Sequence, residues 1–339
     1  MFSETFRDKK VFVTGHTGFK GAWLSTWLSK MGAKVFGYSD QIPTVPAMFE
    51  INGLENVINH RLGDVCDYGD LSKAVEEISP DYIFYLAAQP LVSESYRDPL
   101  HTVKVNSFGV ATFLEVLRNT KFKTNVVIVT SDKAYENVEW LWGYRENDKL
   151  GGKDPYSGSK GAAELIIRSY SDSFFNCNSP VRVGVARAGN VIGGGDWSED
   201  RIIPDIVRSI LKNKKIFLRS PNAIRPWQHV LEPISGYIKL ALFNYKFPNK
   251  FNSSWNFGPK TKKNFTVKML VEKFLKYSKK KTLIIIQKSN LKETKTLHLN
   301  SKKAKKKIKW ESKWSHENAI KETAEWYNAY FKKKNMHHF

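Results

Sequence analysis

Residues 10–31 read KVFVTGHTGFKGAWLSTWLSKM, and their order decides the fold. Lys10 to Thr14 is a strand-like run. Three glycines follow, Gly15, Gly18 and Gly21, and then Phe19, Trp23, Trp27 and Met31 recur every four residues, the spacing of an amphipathic helix. A strand, a glycine turn and a helix N-terminus come in the order that a dinucleotide pyrophosphate requires. Backbone N–H groups and the helix dipole hold the anion, while the missing Cβ atoms let the chain turn tightly, approach the phosphates and pack helix on strand.

Residues 128–160 carry the chemistry: IVTSDKAYENVEWLWGYRENDKLGGKDPYSGSK. A strand ends on Ser131-Asp132-Lys133 and a helix opens on Tyr156, with Lys160 one turn further on. That spacing puts phenol and ammonium on one helix face, so the Lys160 charge is expected to lower the Tyr156 pKa from about 10. Such a phenol exchanges protons with a sugar hydroxyl near neutral pH. Ser131, at the tip of a neighbouring strand, is placed to hydrogen-bond the same oxygen. Together the three resemble the proton-handling set of the short-chain dehydrogenases/reductases.

The rest of the chain alternates in the same way. Strands are expected at 10–14, 34–38, 57–62, 82–87, 125–130 and 181–187, with helices at 19–31, 68–77, 101–118 and 156–174. This alternation predicts an α/β fold: a Rossmann-type, doubly wound parallel sheet covered on both faces, with a smaller C-terminal substrate lobe. The expected division is a cofactor-binding domain over 1–188 and a mainly substrate-binding lobe over 189–339, with the chain free to cross between them. Functional residues should gather at the carboxyl ends of the strands, where Gly15, Asp64, Ala87, Ser131 and Arg187 to Asn190 fall. The polar segment 259–281 reads as a loop.

The chain has 339 residues, enough for two lobes, and a net charge of +21. Much of the excess lies in the KTKK, KKK and KKAKKK runs between Lys260 and Lys313. Without interleaved aromatics or an RNA-binding signature these runs read as a solvated lysine surface, part of which can steer an anionic substrate, and no nucleic-acid partner is expected. There is no run of 18 apolar residues, and MFSETFRDKK lacks an apolar signal core, so neither a membrane span nor export is expected and the location is read as cytoplasmic. Cys66 and Cys177, with no Cys/His cluster, read as bystander thiols, and no metal is expected.

Several longer stretches carry a closer resemblance: VFVTGHTGFKGAWLSTWL, LAAQPLVSESYRDPL, TSDKAYEN, GYRENDKLGGKDPYSGSKGAAE, ARAGNVIGGGDWSEDRIIPD, IRPWQHVLEP and WNFGP. Over roughly Lys9 to Tyr330 the chain is similar to the extended short-chain dehydrogenases/reductases, and among them to the NAD-dependent nucleotide-sugar 4,6-dehydratases of the CDP-sugar branch. The resemblance implies a hydro-lyase of deoxysugar and surface-polysaccharide (lipopolysaccharide) biosynthesis. It would move a hydride from sugar C4 to NAD, eliminate water across C5 and C6, and return the hydride to C6.

The resemblance also implies roles. Tyr156 would take the C4 hydroxyl proton, Lys160 would hold the nicotinamide ribose and tune Tyr156, and Ser131 would orient the hydroxyl. Relatives acting on dTDP- or GDP-sugars use an Asp-Glu pair for the elimination. Here the pair is Asp132-Lys133, so Asp132 inherits the acid role and Lys133 the base role. A lysine base must be partly neutral, which requires a pKa well below about 10.4, and Lys160 is a candidate neighbour for lowering it. The plainer alternatives are a Lys133 salt bridge to Asp132 or Glu136, and Asp132 as a strand-end turn residue.

NAD contacts are expected from Gly15, Thr17, Gly18, Phe19, Gly21, Asp64, Val65, Leu86, Ala87 and Ala88, besides Tyr156 and Lys160. Asp40 would accept the adenosine ribose and favour NAD over NADP, although Tyr38 and Ser39 fit the same position. Gln89, Asn190, Arg201, Arg225 and His229 are the expected substrate contacts, with Arg225 equally able to pin a loop. Trp197 and Trp227 either stack on the base or pack. The resemblance suggests a homo-oligomer, dimer or tetramer. A 4-epimerase or reductase of the same fold, a non-catalytic nucleotide-sugar sensor and a basic nucleic-acid-binding protein are the other readings. An epimerase does not require Asp132-Lys133.

Overall fold

The computed structural model describes residues 5–176, 178–247, 253–260, 265–286 and 296–332; Cys177 and Lys262–Lys263 of the KTKK run lie outside them. The first half runs β1 (Lys10–Thr14), α1 (Phe19–Lys30), β2 (Lys34–Ser39), α2 (Met48–Ile51), β3 (Asn59–Leu62), α3 (Tyr68–Ile78), β4 (Tyr82–Tyr85), α4 (Val92–Arg97), α5 (Pro99–Val103), α6 (Gly109–Asn119) and β5 (Thr124–Val129). The second half runs α7 (Pro155–Phe174), β6 (Val181–Ala188), β7 (Val191–Ile192), α8 (Ile202–Leu211), β8 (Ile216–Leu218), β9 (Gln228–His229), α9 (Leu231–Lys246), β10 (Ser253–Phe257), α10 (Val267–Ser278), β11 (Ile284–Ile286), α11 (Lys302–Ile308) and α12 (His316–Phe331).

Seven strands form one sheet in the order β10-β6-β5-β4-β1-β2-β3, and every pairing in it is parallel. The order reverses between β1 and β4, which opens a crevice at their carboxyl ends. Side chains alternate between two cores, as a period of two requires. Val11, Val13, Val127 and Val129 face Leu24, Leu28, Ile234 and Leu240, whereas Phe12, Ile83, Val126 and Ile128 face Leu71, Val75, Phe113 and Ile167. Each such side chain, removed from water, contributes about 1.5–3 kcal/mol.

Some expected boundaries shift, for local reasons. The fourth strand stops at Tyr85, short of 87, because Thr14 Oγ1 accepts hydrogen bonds from the backbone N–H of both Leu86 and Ala87 (3.1 Å each). The single helix expected over 101–118 is α5 and α6 joined by a π-turn, Lys104–Phe108. It starts early because Pro99 sits in its first turn and the Asp98 carboxylate caps the N–H of His101 at 2.9 Å. The expected loop over 259–281 holds α10 instead. Its lysines mask an apolar stripe, Leu270, Val271 and Phe274, that is buried against α12. Beyond 189 the regular alternation gives way to short parallel pairs, β7 with β9 and β8 with β11. The chain then returns through α9 to lay β10 beside β6.

Candidate functional site

A cleft of ≈ 1090 Å³ opens over the carboxyl ends of the sheet, between the glycine turn and the segments around α8. Its floor is the glycine turn. Gly15 has φ +69°, and a Cβ there would stand 2.8 Å from the Ala87 nitrogen; a Cβ on Gly21 would stand 2.0 Å from the Gly15 carbonyl oxygen. Helix α1 therefore seats directly on the turn, and its first residues carry no side-chain cap, leaving N–H groups for an anion. Thr17 holds the next loop by donating its hydroxyl to the Gln41 carbonyl (2.6 Å).

Every expected cofactor contact lines this cleft: Gly15, Thr17, Gly18, Phe19 and Gly21 on the floor, Asp40, Asp64 and Val65 at one end, and Leu86, Ala87 and Ala88 behind β4. Of the three candidates at the end of β2, Tyr38 points away, buried, with its phenol donating to Asp70 Oδ2 at 2.7 Å. The Ser39 hydroxyl is bonded to the His16 ring (2.9 Å). Asp40 is exposed at the cleft. Asp64 accepts from the Cys66 N–H (2.9 Å), which fixes its carboxylate at the rim. Burial pushes the Cys66 thiol up to about 12, so it is no reactive thiolate.

The residues expected to carry the chemistry converge from β5 and α7. Ser131 caps a short 3₁₀ turn, Asp132–Ala134, by accepting from the Lys133 N–H. Its hydroxyl lies 3.1 Å from Asp132 Oδ1, and Lys133 Nζ lies 3.3 Å from the same oxygen. Asp132 is wholly enclosed, and its other oxygen, Oδ2, has no hydrogen-bond partner among the described residues. Of the two acids weighed as partners of Lys133, Asp132 is the one engaged, while Glu136 pairs with Lys149 at 2.8 Å. Helix α7 begins at Pro155, capped by Asp154, so Tyr156 lies in its first turn and Lys160 one turn on. The helix is pinned by Asn106, which bonds both the Gln89 N–H (2.9 Å) and the Ser159 hydroxyl (3.0 Å).

The electrostatics differ from the expected pattern. Burial raises the Tyr156 phenol above its ordinary value, opposed by the Lys133 charge, a Ser131 hydrogen bond and Arg201. Lys160 Nζ lies 6.0 Å from the Tyr156 ring centre. Lys160 is itself depressed by burial to about 8, held up only by Glu164. Glu164 in turn is clamped by Arg187 through two bonds of 2.8 and 2.9 Å, a buried pair that locks α7 to β6.

The expected substrate residues divide. Gln89, Asn190, Arg201 and Arg225 line the cleft. Gln89 spends its amide within the fold, donating to Thr102 Oγ1 (2.8 Å) and accepting from the Leu91 N–H (2.5 Å). Arg201 pairs with Asp196 at 3.1 Å, and Arg225 bonds the carbonyl of Ile224 at 3.0 Å. Asn190 Oδ1 is buried without a partner among the described residues. Trp197 and Trp227 both line the wall. His229 does not line the cleft. It is buried between Trp23 and Trp314, and burial lowers it to about 3.

Three site features escape a reading by motif. Lys20 enters the cleft from the first turn of α1 and reaches Tyr237. Tyr237 lies behind the wall, fully buried. Gly189 leaves room for Asp132: a Cβ there would stand 2.9 Å from Oδ2. Among the described residues no group of His, Cys, Asp or Glu could hold a metal ion, and no helix is long and apolar enough to cross a membrane. The KKAKKK run forms α11, with Lys302, Lys305, Lys306 and Lys307 exposed.

The profile of the family described as GDP-mannose 4,6 dehydratase matches residues 12–323. The chain is 43% identical to the CDP-glucose 4,6-dehydratase of Salmonella typhimurium, over 98% of this chain and 94% of that one. To the dTDP-glucose 4,6-dehydratase of the same organism it is 21% identical, over 94% of this chain and 93% of that one. In fold it resembles the UDP-glucose 4-epimerase of Thermotoga maritima solved with UDP-glucose, with a TM-score of 0.82 at 20% identity, covering 95% of this chain and 99% of that one. It also resembles the dTDP-glucose 4,6-dehydratase of Bacillus anthracis solved with NAD, with a TM-score of 0.78 at 21% identity, covering 96% and 98%. The glycine turn, the Tyr156/Lys160 helix and the strand order thus sit in a chain matched by one family along most of its length, and the chain belongs to the GDP-mannose 4,6 dehydratase family.

Proposed function

We propose that the protein is an NAD-dependent CDP-glucose 4,6-dehydratase, converting CDP-glucose to CDP-4-keto-6-deoxyglucose and water, a step of deoxysugar and surface-polysaccharide synthesis. The single observation that carries the reaction class is the ion pair of the enclosed Asp132 with the part-exposed Lys133, 3.3 Å apart and beside Ser131 and Tyr156. A dehydratase needs an acid and a base beyond the oxidising set; an epimerase does not. The 43% identity over nearly the whole chain supports the CDP-sugar branch.

The cleft fits a dinucleotide. The floor that Cβ atoms on Gly15 or Gly21 would fill lies at the uncapped start of α1, a cradle for a pyrophosphate. On this reading Asp40 would take the adenosine ribose, Asp64 and Val65 the adenine, and Lys160 the other ribose, all four lining the cleft. When bound, NAD supplies a reversible hydride acceptor. Tyr156 takes the C4 hydroxyl proton, with Ser131 orienting that hydroxyl and Lys133 and Arg201 favouring the phenolate. Lys133, as the amine, then takes the C5 proton, and Asp132, as the acid, protonates the departing C6 oxygen. The pair is set for this when one proton moves from the ammonium to the carboxylate across 3.3 Å. Arg201 and Arg225 line the wall where a diphosphate would need cations.

Incubation of the purified protein and NAD with CDP-, dTDP-, GDP- and UDP-glucose, followed by mass spectrometry, tests the proposal. Loss of water from CDP-glucose is the expected result. Faster loss from another nucleotide sugar would overturn the substrate while keeping the reaction class, and loss from none would overturn both.

A further inference from the structure

The segment between Lys133 and Tyr156 carries a turn that lines no part of the cleft. Trp140, Leu141 and Trp142 form its tip, 41%, 96% and 54% exposed. Single exposed apolar residues are ordinary, but contiguous ones mark an interaction site, and this turn is braced to hold them out. Asn137 donates to the Thr296 carbonyl (3.0 Å). The Tyr144 hydroxyl accepts from the Val138 N–H (2.7 Å) and donates to Asn137 Oδ1 (3.0 Å). On the far side the Tyr144 N–H donates to the His298 carbonyl and the Asn300 N–H to the Tyr144 carbonyl, 2.8 Å each. Gly143 lets the two segments touch, since a Cβ there would stand 2.7 Å from the Leu299 carbonyl carbon. Trp140 then stacks on Tyr144, 5.7 Å between ring centres and 5° from parallel, and tilts against Trp142 at 5.1 Å.

The same junction starts a basic helix. Just past Asn300, α11 runs Lys302–Ile308, and between Ser301 and Trp314 seven lysines stand against one acid, Glu311. Lys303 turns inward over the Trp255 ring at 4.4 Å, and Lys305 takes Glu311 at 2.6 Å. Lys302, Lys306, Lys307 and Lys309 are exposed, with no ion pair among the described residues. Seven residues of helix span about 10 Å, close to the screening length of about 10 Å at 0.1 M salt, so a charged surface that meets the tip also acts on these lysines. Charge and shape decide what the patch fits. A second copy docked through it would bring two lysine rows together, which like charges oppose. Single-stranded nucleic acid needs open ring faces, yet Trp140 is already stacked on Tyr144 and Leu141, the most exposed of the three, has no ring. Indoles at the headgroup level, an aliphatic side chain at the acyl boundary and lysines on lipid phosphates fit a bilayer surface.

We propose that the Trp140–Trp142 tip and the exposed lysines of α11 together dock the protein on an anionic bilayer surface. Leu141 and Trp142 enter the headgroup boundary while Lys302, Lys306 and Lys307 meet lipid phosphates. Neither signal suffices alone, because a short tip buries little area and exposed charges are screened by salt. Docking of this kind needs no membrane-spanning helix, and among the described residues there is none. It stands apart from the dehydratase reading, since neither the tip nor α11 lines the cleft.

The test is flotation of the full-length protein with vesicles of phosphatidylcholine, alone or mixed with phosphatidylglycerol, with melting temperature as the check of folding. Binding is expected to the mixed vesicles only. A chain of net charge +21 adheres to anionic lipid by charge alone, so the decisive variant is Leu141→Ser with Trp142→Ser, which leaves every charge in place. It should bind at least about tenfold more weakly. Lys302→Gln, Lys306→Gln and Lys307→Gln combined should lose roughly fivefold per lysine, and Leu141→Phe should bind as the parent does. Leu141→Ser alone, at a side chain that is almost wholly exposed, serves if the double variant does not fold. Parent-like flotation of the tip variant overturns the proposal, leaving unspecific attraction, and so does equal binding of the parent to neutral vesicles. Tip-dependent binding to polyglutamate or to single-stranded RNA that is tighter than to the vesicles overturns it in favour of an acidic protein or a nucleic acid. A dimer in light scattering without lipid that the tip variant abolishes overturns it in favour of a second copy.

Discussion

Lys133 Nζ stands 3.3 Å from Asp132 Oδ1, while the second Asp132 oxygen, enclosed and without a partner among the described residues, faces Gly189. Two groups of opposite charge in this geometry form an ion pair at hydrogen-bond distance. Lys133→Met removes the proposed base and leaves Tyr156, Ser131 and Lys160 in place. It is expected to permit C4 oxidation and to block elimination, lowering overall turnover by about 10² to 10⁴ while reduced nicotinamide builds up on the enzyme. Tyr156→Phe should stop the earlier step and leave almost no reduced cofactor. Absorbance of the reduced nicotinamide separates the two, and normal dehydration in Lys133→Met would leave only the salt bridge.

Hydride removal and return within one cleft requires NAD in catalytic amount. Substrate carrying deuterium at C4 is expected to give product with that deuterium at C6, read by mass spectrometry. Release of the label to solvent, or NADH formed in proportion to substrate, would mark an ordinary dehydrogenase.

The cofactor turn has no spare volume. A Cβ on Gly21 would stand 2.0 Å from the Gly15 carbonyl oxygen and 2.8 Å from the His16 Cα, both backbone atoms that cannot rotate aside. Gly21→Ala must lift α1 off the turn. It is expected to cost about 3 kcal/mol or more, the upper end of overpacking penalties, and to release NAD. Denaturant unfolding and the NAD content of the purified variant measure the two effects.

Burial holds the Lys160 ammonium at about 8, below its value of about 10.4 in an unfolded chain. Between those limits the unfolded chain binds more protons at this group, so its contribution to stability rises with pH. Below about 8 the fold carries the full cost of the buried cation. Lys160→Met, compared with the parent in the absence of nucleotide, should therefore show its largest relative stability at low pH. The gap should narrow as pH rises from about 8 towards about 10. Unfolding curves across that range decide it, and a constant gap would show that the ammonium is not depressed in the fold.

Short-range periodicity determined much of this molecule. The run from Lys10 to Met31 places strand, turn and helix by local sterics and burial alone, and the four-residue spacing of Tyr156 and Lys160 needs nothing but a helix. Even Lys20 left a trace, a cation at the wrong end of a helix dipole. Tertiary structure decided what depends on residues far apart in the chain. His229 sits in a motif that suggests substrate, yet Trp23 and Trp314, from opposite ends of the chain, enclose it. The Tyr156 phenol is raised, not lowered, because burial by the whole cleft outweighs any one nearby charge. Helix α10 hid beneath lysines because its apolar stripe has meaning only against α12. The contact of Lys20 with Tyr237 spans 217 positions, and no pattern within either segment encodes it. Burial and charge are sums over all neighbours, and those neighbours exist only once the sheet has brought α1, β5, α7 and α9 together.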